Sequence, residues 1–273
     1  MTRPDGDAMF ANRRTAALSA AGALALAGCG AAPVSRERAP AIDRAAAVTA
    51  GTQAAVSDGT QAAVVRGWGP VVAGDEFNYA GPPDPAKWKV FTGPGHAGKG
   101  IRSPNALVVG GGVLTVSGDA AGTTGGMSAR FAQQRYGRWE ARMKIGQRDL
   151  QYHPVLILWP NNNISSTCAE IDYAEGSADT AQIKFFLHYA CGGPNFQTTA
   201  ARTIDTTQWH NYALEWTPAG IEGYVDGSLW FVDTNPAHQP TVGMHQTVQL
   251  DWFPNGTPTK PSQMQVDWIR VYK

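Results

Sequence analysis

The segment Ala169-Glu170-Ile171-Asp172-Tyr173-Ala174-Glu175-Gly176 sets three carboxylates among apolar neighbours. On an extended strand side chains alternate between faces, so Glu170 and Asp172 share one face while Glu175 points the other way. One extra residue, a β-bulge near Tyr173-Ala174, restores the parity and brings Glu175 to the face of the other two. Three like charges on one face repel and raise at least one pKa. Two carboxylates with separated pKa values suit retaining glycoside hydrolysis, in which an ionised carboxylate attacks the anomeric carbon and a protonated one donates its proton to the leaving oxygen, the pair standing about 5 to 5.5 Å apart. Spacing alone leaves a solvated acidic face or a cation site equally open.

The elements that must hold such a strand are legible around it. Val113-Leu114-Thr115-Val116, 138–145, 183–189 and 265–272 alternate apolar and polar residues and predict strands. Asp226-Gly227 between two short alternating runs predicts a tight hairpin. Val155-Leu156-Ile157-Leu158-Trp159 is apolar throughout, as in a strand covered on both faces. With Gly, Pro and Asn turns about every ten positions and no helical stripe, the chain predicts an all-β sandwich or barrel. The balance of 22 basic and 22 acidic residues, without any Lys/Arg-rich block, argues against nucleic acid as a partner. Hydrophobic residues at 43% exclude disorder throughout, and three cysteines in 273 residues exclude a disulfide-dense miniprotein.

The N-terminus predicts an address. Arg13-Arg14 precede an uncharged Ala/Leu run ending at Leu26-Ala27-Gly28-Cys29. A basic head and an apolar run too short to span a bilayer describe an export signal. The ending resembles the lipobox of bacterial lipoproteins, which implies removal of residues 1–28, acylation of Cys29 and anchoring at the outer face of the cell membrane. Acyl chains contribute about 0.8 kcal/mol per buried CH₂. The adjacent arginines leave the Sec and twin-arginine routes both open. Residues 29–66 hold no aromatic residue and carry a tandem Gly-Thr-Gln-Ala-Ala-Val repeat, so they read as a flexible tether. All nine tryptophans lie from Trp68 onward, which places one domain at 67–273.

Glu170-Ile171-Asp172-Tyr173-Ala174-Glu175 resembles the bulged active-site signature of glycoside hydrolase family 16, the form common among β-1,3-glucanases (laminarinases). Gly74-Asp75-Glu76-Phe77-Asn78, Tyr136-Gly137-Arg138-Trp139-Glu140-Ala141-Arg142, Leu187-His188-Tyr189, 209–218, Tyr224-Val225-Asp226-Gly227 and Val266-Asp267-Trp268-Ile269-Arg270-Val271-Tyr272 are similar to that family in the right order. The resemblance implies a jelly-roll sandwich of two antiparallel sheets whose concave face forms a glycan cleft. It makes Glu170 the nucleophile, Glu175 the general acid/base and Asp172 the assisting carboxylate. His188 matches a histidine kept near the acid/base, and Asn105 and Arg130 match polar residues lining the negative subsites. Trp139 reads as core.

The family's Trp-Pro-Ala-Phe-Trp platform is replaced here by His153-Pro154-Val155-Leu156-Ile157-Leu158-Trp159, and a second Trp-Pro by Ser165-Ser166. Sugar faces stack on aromatic rings. Trp159, Trp209 and Trp252 are the candidate replacements. Members often hold a structural calcium on the convex face, for which Asp267 is the candidate here; the chemistry itself requires no cofactor. A hairpin turning near Ala178-Asp179-Thr180 sets Glu170 opposite about Tyr189, Asp172 opposite about Leu187 and Cys168 opposite Cys191, and an oxidising compartment permits that disulfide. The expectation is a lipid-anchored, monomeric, retaining endo-β-glycanase acting on a β-linked glucan, most simply β-1,3. An envelope transglycosylase and a non-catalytic glycan-binding lipoprotein on the same fold stand as alternatives.

Overall fold

The computed structural model describes residues 59–163, 169–189 and 196–273. The expected leader 1–28, Cys29, the part of the expected tether up to residue 58, and Cys168 and Cys191 with their expected disulfide lie outside the described residues. Two large antiparallel sheets make up most of the fold, with a small three-stranded sheet of Gly93–Pro94, Ile101–Arg102 and Thr123–Thr124 beside them. The first runs, edge to edge, Phe196–Thr203, Gln182–Tyr189, Glu170–Gly176, Tyr152–Pro160, Met244–Trp252, Gly126–Ala129 and Trp88–Val90. The second runs Ser228–Asp233, Gly220–Val225, His210–Thr217, Gly137–Ile145, Ser262–Tyr272, Val113–Gly118 and Leu107–Gly110, with Ala73–Asp75 added beside Ser262–Tyr272. The predicted strands all form, and Asp226 and Gly227 turn their hairpin with φ of 50° and 71°. Both central residues at positive φ define the turn whose twist matches that of the flanking strands.

Alternation decides which side chains fill the space between the sheets. Trp139, Met143, Trp216, Leu214, Met264 and Val266 from the second sheet meet Leu156, Leu158, Ile171, Tyr173, Phe185 and Leu187 from the first, all buried in one apolar cluster. The Phe185 and Phe231 rings stack with centroids 3.9 Å apart. Burying each such side chain contributes roughly 1.5 to 3 kcal/mol. Asp75 pins the start of the domain to this core. Its carboxylate accepts hydrogen bonds from Trp88 Nε1 at 2.8 Å, Tyr79 Oη at 3.0 Å and the Phe77 amide at 3.2 Å, with Lys87 Nζ at 3.1 Å.

The folded part begins before residue 67, inside the stretch that composition predicts to be a flexible tether. Ala62–Arg66, expected to be part of the flexible stretch, is one helical turn whose Ala62 and Ala63 pack with Trp68, Ala213, Tyr224 and Tyr272. The helix has no side-chain cap of its own; Glu140, fully buried on the second sheet, accepts from the amides of Ala62 at 2.6 Å and Ala63 at 3.1 Å. Small alanines let the turn approach closely enough for that carboxylate to satisfy two amides that a helix start leaves without partners. Composition could not show this, because the partner lies 78 residues away.

Burial pushes the Glu140 carboxyl up to about 7, against the lowering effect of its two backbone donors. A carboxyl whose folded pKa exceeds its unfolded value near 4.5 keeps a proton that the unfolded chain releases, so stability falls as pH rises between those values. Glu140→Gln removes this term. The melting temperature of the variant minus that of the wild type is expected to become more positive between pH 4.5 and pH 7.5. A difference that stays constant across that range would show that Glu140 is not the titrating group.

Candidate active site

The strand Glu170–Gly176 pairs on one side with Tyr152–Pro160 and on the other with Gln182–Tyr189. Both ladders slip by one residue between Asp172 and Glu175: Ile157 faces Asp172, Leu156 faces Ala174, and Tyr173 has no partner in the Tyr152–Pro160 strand. This is the bulge that the sequence required. Tyr173 turns into the core, where its hydroxyl donates to Gln246 Oε1 at 2.7 Å. Paired residues of antiparallel strands share a face. Three adjacent rows on the outer face therefore carry one carboxylate each: Glu170 with His188, Asp172 with Ile157 and Phe186, and Glu175 with Val155 and Lys184.

All three carboxylates line one cavity of about 640 Å³, together with Trp159, Phe186, His188, Gln197, Gln249, Asp251, Phe253 and His96. Asp172 is 3% exposed, while Glu170 and Glu175 are partly open to the cleft. Burial, then the facing Asp172 charge, pushes the Glu170 carboxyl upward, and burial with the Glu175 charge pushes Asp172 well above the usual carboxylate range. The Glu170 and Asp172 carboxyls are hydrogen-bonded to each other, so at neutral pH this pair retains a proton. His188 Nε2 stands 3.2 Å from Asp172 Oδ2.

Several expectations change once the chain is folded. The plain-hairpin register holds only on the turn side of the bulge, where Glu175 faces Lys184; beyond it Glu170 faces His188 and Asp172 faces Phe186, one residue short of the predicted Tyr189 and Leu187. The bulge consumes one residue of the carboxylate strand and none of its neighbour. His188 sits against Asp172, and the histidine beside Glu175 is His153, whose Nδ1 lies 3.9 Å from Glu175 Oε1. Asn105 is exposed in a 3₁₀ turn and lines a separate cavity with Ser103, Ser117 and Gln263. Arg130 is exposed, donates from Nε to the Trp88 carbonyl at 3.3 Å, and is absent from the cleft lining.

Of the three candidate tryptophans, only Trp159 lines the cleft. Trp209 lies under the cations of Arg142 and Lys144. Trp252 packs over Gly122, where a Cβ would meet the indole at 2.3 Å and φ is +83°. Strand alternation puts the neighbours of Trp252, Asp251 and Phe253, on the cleft side instead. Alternation at 251–253 separates Trp252 from its two neighbours, but only the tertiary structure says which of the two faces is the cleft. Nothing in the sequence pointed to His96, which arrives from a turn far along the chain.

The cation candidate Asp267 is a bulge residue whose Oδ2 pairs with Arg142 Nη1 at 2.5 Å. That guanidinium already neutralises the carboxylate and would repel a second cation, so the position does not fit calcium. Among the described residues, the ligand atoms that converge as a metal site would require are those of Glu170, Asp172 and His188, within 4.8 Å of one another.

The profile of the glycosyl hydrolases family 16 matches residues 101–270. A beta-glucanase of Rhodothermus marinus is 28% identical over 256 residues, which cover 74% of this chain and 85% of the relative. A keratan-sulfate endo-1,4-beta-galactosidase of Sphingobacterium multivorum is 26% identical over 241 residues, covering 73% of this chain and 54% of the relative. Among solved structures, LamAcat from Zobellia galactanivorans superposes with a TM-score of 0.67 at 19% identity, over 76% of this chain and 99% of that one. The catalytic domain of an endo-1,3-beta-glucanase from Thermotoga petrophila does so with a TM-score of 0.60 at 25% identity, over 75% and 97%. A bulged strand that turns three carboxylates into one cleft, on a sandwich of this topology and with this profile match, places the chain in glycosyl hydrolases family 16, as a glycoside hydrolase.

Proposed function

We propose that this protein is a retaining endo-β-glucanase acting on β-1,3-linked glucan, anchored by an acylated Cys29 at the outer face of the cell membrane. The observation that carries the catalytic part is the one-residue slip between Asp172 and Glu175, which aligns Glu170, Asp172 and Glu175 in one cavity. Glu170 attacks the anomeric carbon and Glu175 gives its proton to the leaving oxygen. Glu175 then takes a proton from the water that opens the glycosyl-enzyme. Attack requires the proton of the buried pair to stand on Asp172, where it donates to Glu170 and leaves that oxygen ionised. As negative charge leaves Glu170 in forming the ester, the Asp172 hydrogen bond weakens, and it strengthens again when the carboxylate is released. No cofactor enters these steps. The β-1,3 linkage is supported by the bulged signature and by relatives described as laminarinases or endo-1,3-beta-glucanases. Anchoring rests on the Leu26-Ala27-Gly28-Cys29 ending behind a basic head and short apolar run.

Incubating the protein with laminarin, lichenan, agarose and xyloglucan tests the reading. Release of oligosaccharides from laminarin is expected, and Glu170→Gln should lower it on the order of 10³-fold or more. Glu175→Gln should lose as much on laminarin but far less on an aryl glycoside, whose acidic leaving group departs without a proton. Retention of laminarin without products would make the protein a glycan-binding module, and cleavage of agarose or xyloglucan alone would overturn the linkage.

A second measurement concerns stability. The folded Glu170–Asp172 pair keeps a proton that the unfolded chain releases near pH 4, so ionising the site costs stability as pH rises above that value. Asp172→Asn is expected to melt higher than the wild type, by a margin that widens from pH 4 to pH 8, while hydrolysing more slowly. A variant that melts lower at pH 8 would show that the Asp172 charge is compensated in the fold.

A further inference from the structure

The cleft gathers more negative charge than the catalytic steps use. Glu170, Asp172, Glu175 and Asp251 line the one cavity, and no Lys or Arg is among the described residues that line it. The nearby Arg102 is paired with Asp251. What faces Glu170 and Asp172 is an imidazole: His188 stands in register with Glu170, and its Nε2 lies 3.2 Å from Asp172 Oδ2. Ligand atoms of Glu170, Asp172 and His188 all lie within 4.8 Å of one another. Asp172 is 3% exposed, and its Oδ1 is buried with no hydrogen-bond partner. A buried carboxylate oxygen left in that state is costly until a donor or a cation meets it.

One imidazole nitrogen and two carboxylate oxygens make a donor set suited to a borderline divalent ion. Imidazole favours ions of the zinc type over calcium and magnesium, which prefer shells built of oxygen. Zinc held by three protein groups keeps a fourth position for water, and the open side of the cleft supplies that position here. Bonds of about 2.0 to 2.2 Å set the ligand atoms of a tetrahedral site about 3.4 Å apart. His188 and Asp172 already stand at that spacing, so the remaining adjustment falls on Glu170, whose side chain is flexible and partly open to the cleft. The ion neutralises two carboxylates that burial and mutual repulsion hold above their ordinary range, and the proton they retain leaves as it enters.

We propose that Glu170, Asp172 and His188 form a binding site for a divalent transition ion of the zinc type, and that the bound ion blocks the cleft. The site stands on the geometry, while its inhibitory consequence rests on the glucanase reading above. A Glu170 carboxylate that ligates the ion is withdrawn from the anomeric carbon, and the ion with its water fills the space in front of the nucleophile. Glucan and cation therefore exclude each other, and hydrolysis answers to the concentration of such ions around the protein.

Binding is read apart from turnover, on the full chain stripped with EDTA, dialysed, and with its three cysteine thiols blocked by iodoacetamide. Calorimetry with zinc chloride is expected to show one ion per chain, with a matching rise in melting temperature, and calcium or magnesium chloride should give neither. Asp172→Asn and His188→Ala should each weaken zinc binding roughly tenfold or more, whereas His96→Ala, which removes the imidazole 3.5 Å from Asp251, should leave it unchanged. If His188→Ala fails to fold, Asp172→Asn decides. In the wild type, zinc should raise the KM for laminarin with kcat unchanged, and EDTA should reverse the effect. No zinc binding, binding within twofold of the wild type in either folded variant, or a loss confined to His96→Ala would overturn the site. Equal binding of calcium would overturn the zinc-type assignment. Undiminished hydrolysis at saturating zinc, or a fall in kcat without a rise in KM, would overturn the inhibition. No hydrolysis by the stripped protein would remove the glucanase reading and leave the cation site to stand on the calorimetry.

Discussion

A strand can show a side chain to only one of two faces, and the spacing of Glu170, Asp172 and Glu175 violates that parity by one. Most of the catalytic architecture follows from how the fold absorbs the odd residue. Tyr173 is pushed inward, where a large apolar body fills the core and its hydroxyl reaches Gln246, so the bulge is held by a buried aromatic side chain and a buried hydrogen bond at once. The cross-strand partners then advance by one, and three consecutive rows of the outer face each receive a carboxylate. A flat ladder of the same residues would bury Glu175 between the sheets with no partner, at a cost that no core of this kind repays.

Placing those carboxylates together is itself unfavourable. Burial and mutual repulsion push Glu170 and Asp172 upward, and Asp172 Oδ1 is buried without a hydrogen-bond partner. The surrounding structure supplies what the site takes away: two sheets packed on a shared aromatic and aliphatic core, an Asp75 carboxylate that collects donors from Phe77, Tyr79 and Trp88, and a Glu140 that closes the start of a helical turn. The crowded carboxylates persist because those distant contacts stabilise the fold by more than the site costs.

Recognition of the ligand is built differently from the chemistry. The reactive groups come from a single strand and are fixed by its pairing. The walls come from separate parts of the chain: Trp159 from one neighbouring strand, Phe186 and His188 from the other, Phe253 from the end of a fourth, and His96 from a turn between two short strands. Groups on one strand keep their spacing whatever the loops do. The walls can change independently, as the exchange of a tryptophan-rich stretch for His153 to Trp159 illustrates.

The sequence by itself determined the strands with clean alternation, the Asp226-Gly227 turn, the core role of Trp139 and the need for a bulge before Glu175, because each depends on residues adjacent along the chain. It also put Glu170, Asp172 and Glu175 on one strand, while their spacing alone left a solvated acidic face or a cation site open beside catalysis. Tertiary structure decided the rest. The hairpin register moved by one because the bulge lengthens only one of two paired strands. The domain began before residue 67 because Glu140 reaches across to amides at 62 and 63. Asn105 and Arg130 fell outside the cleft, Asp267 was claimed by Arg142, and Phe253 rather than Trp252 faced the cavity. Each of those outcomes turns on which distant segment lies alongside, and alternation or composition along a single stretch carries no information about a partner many residues away.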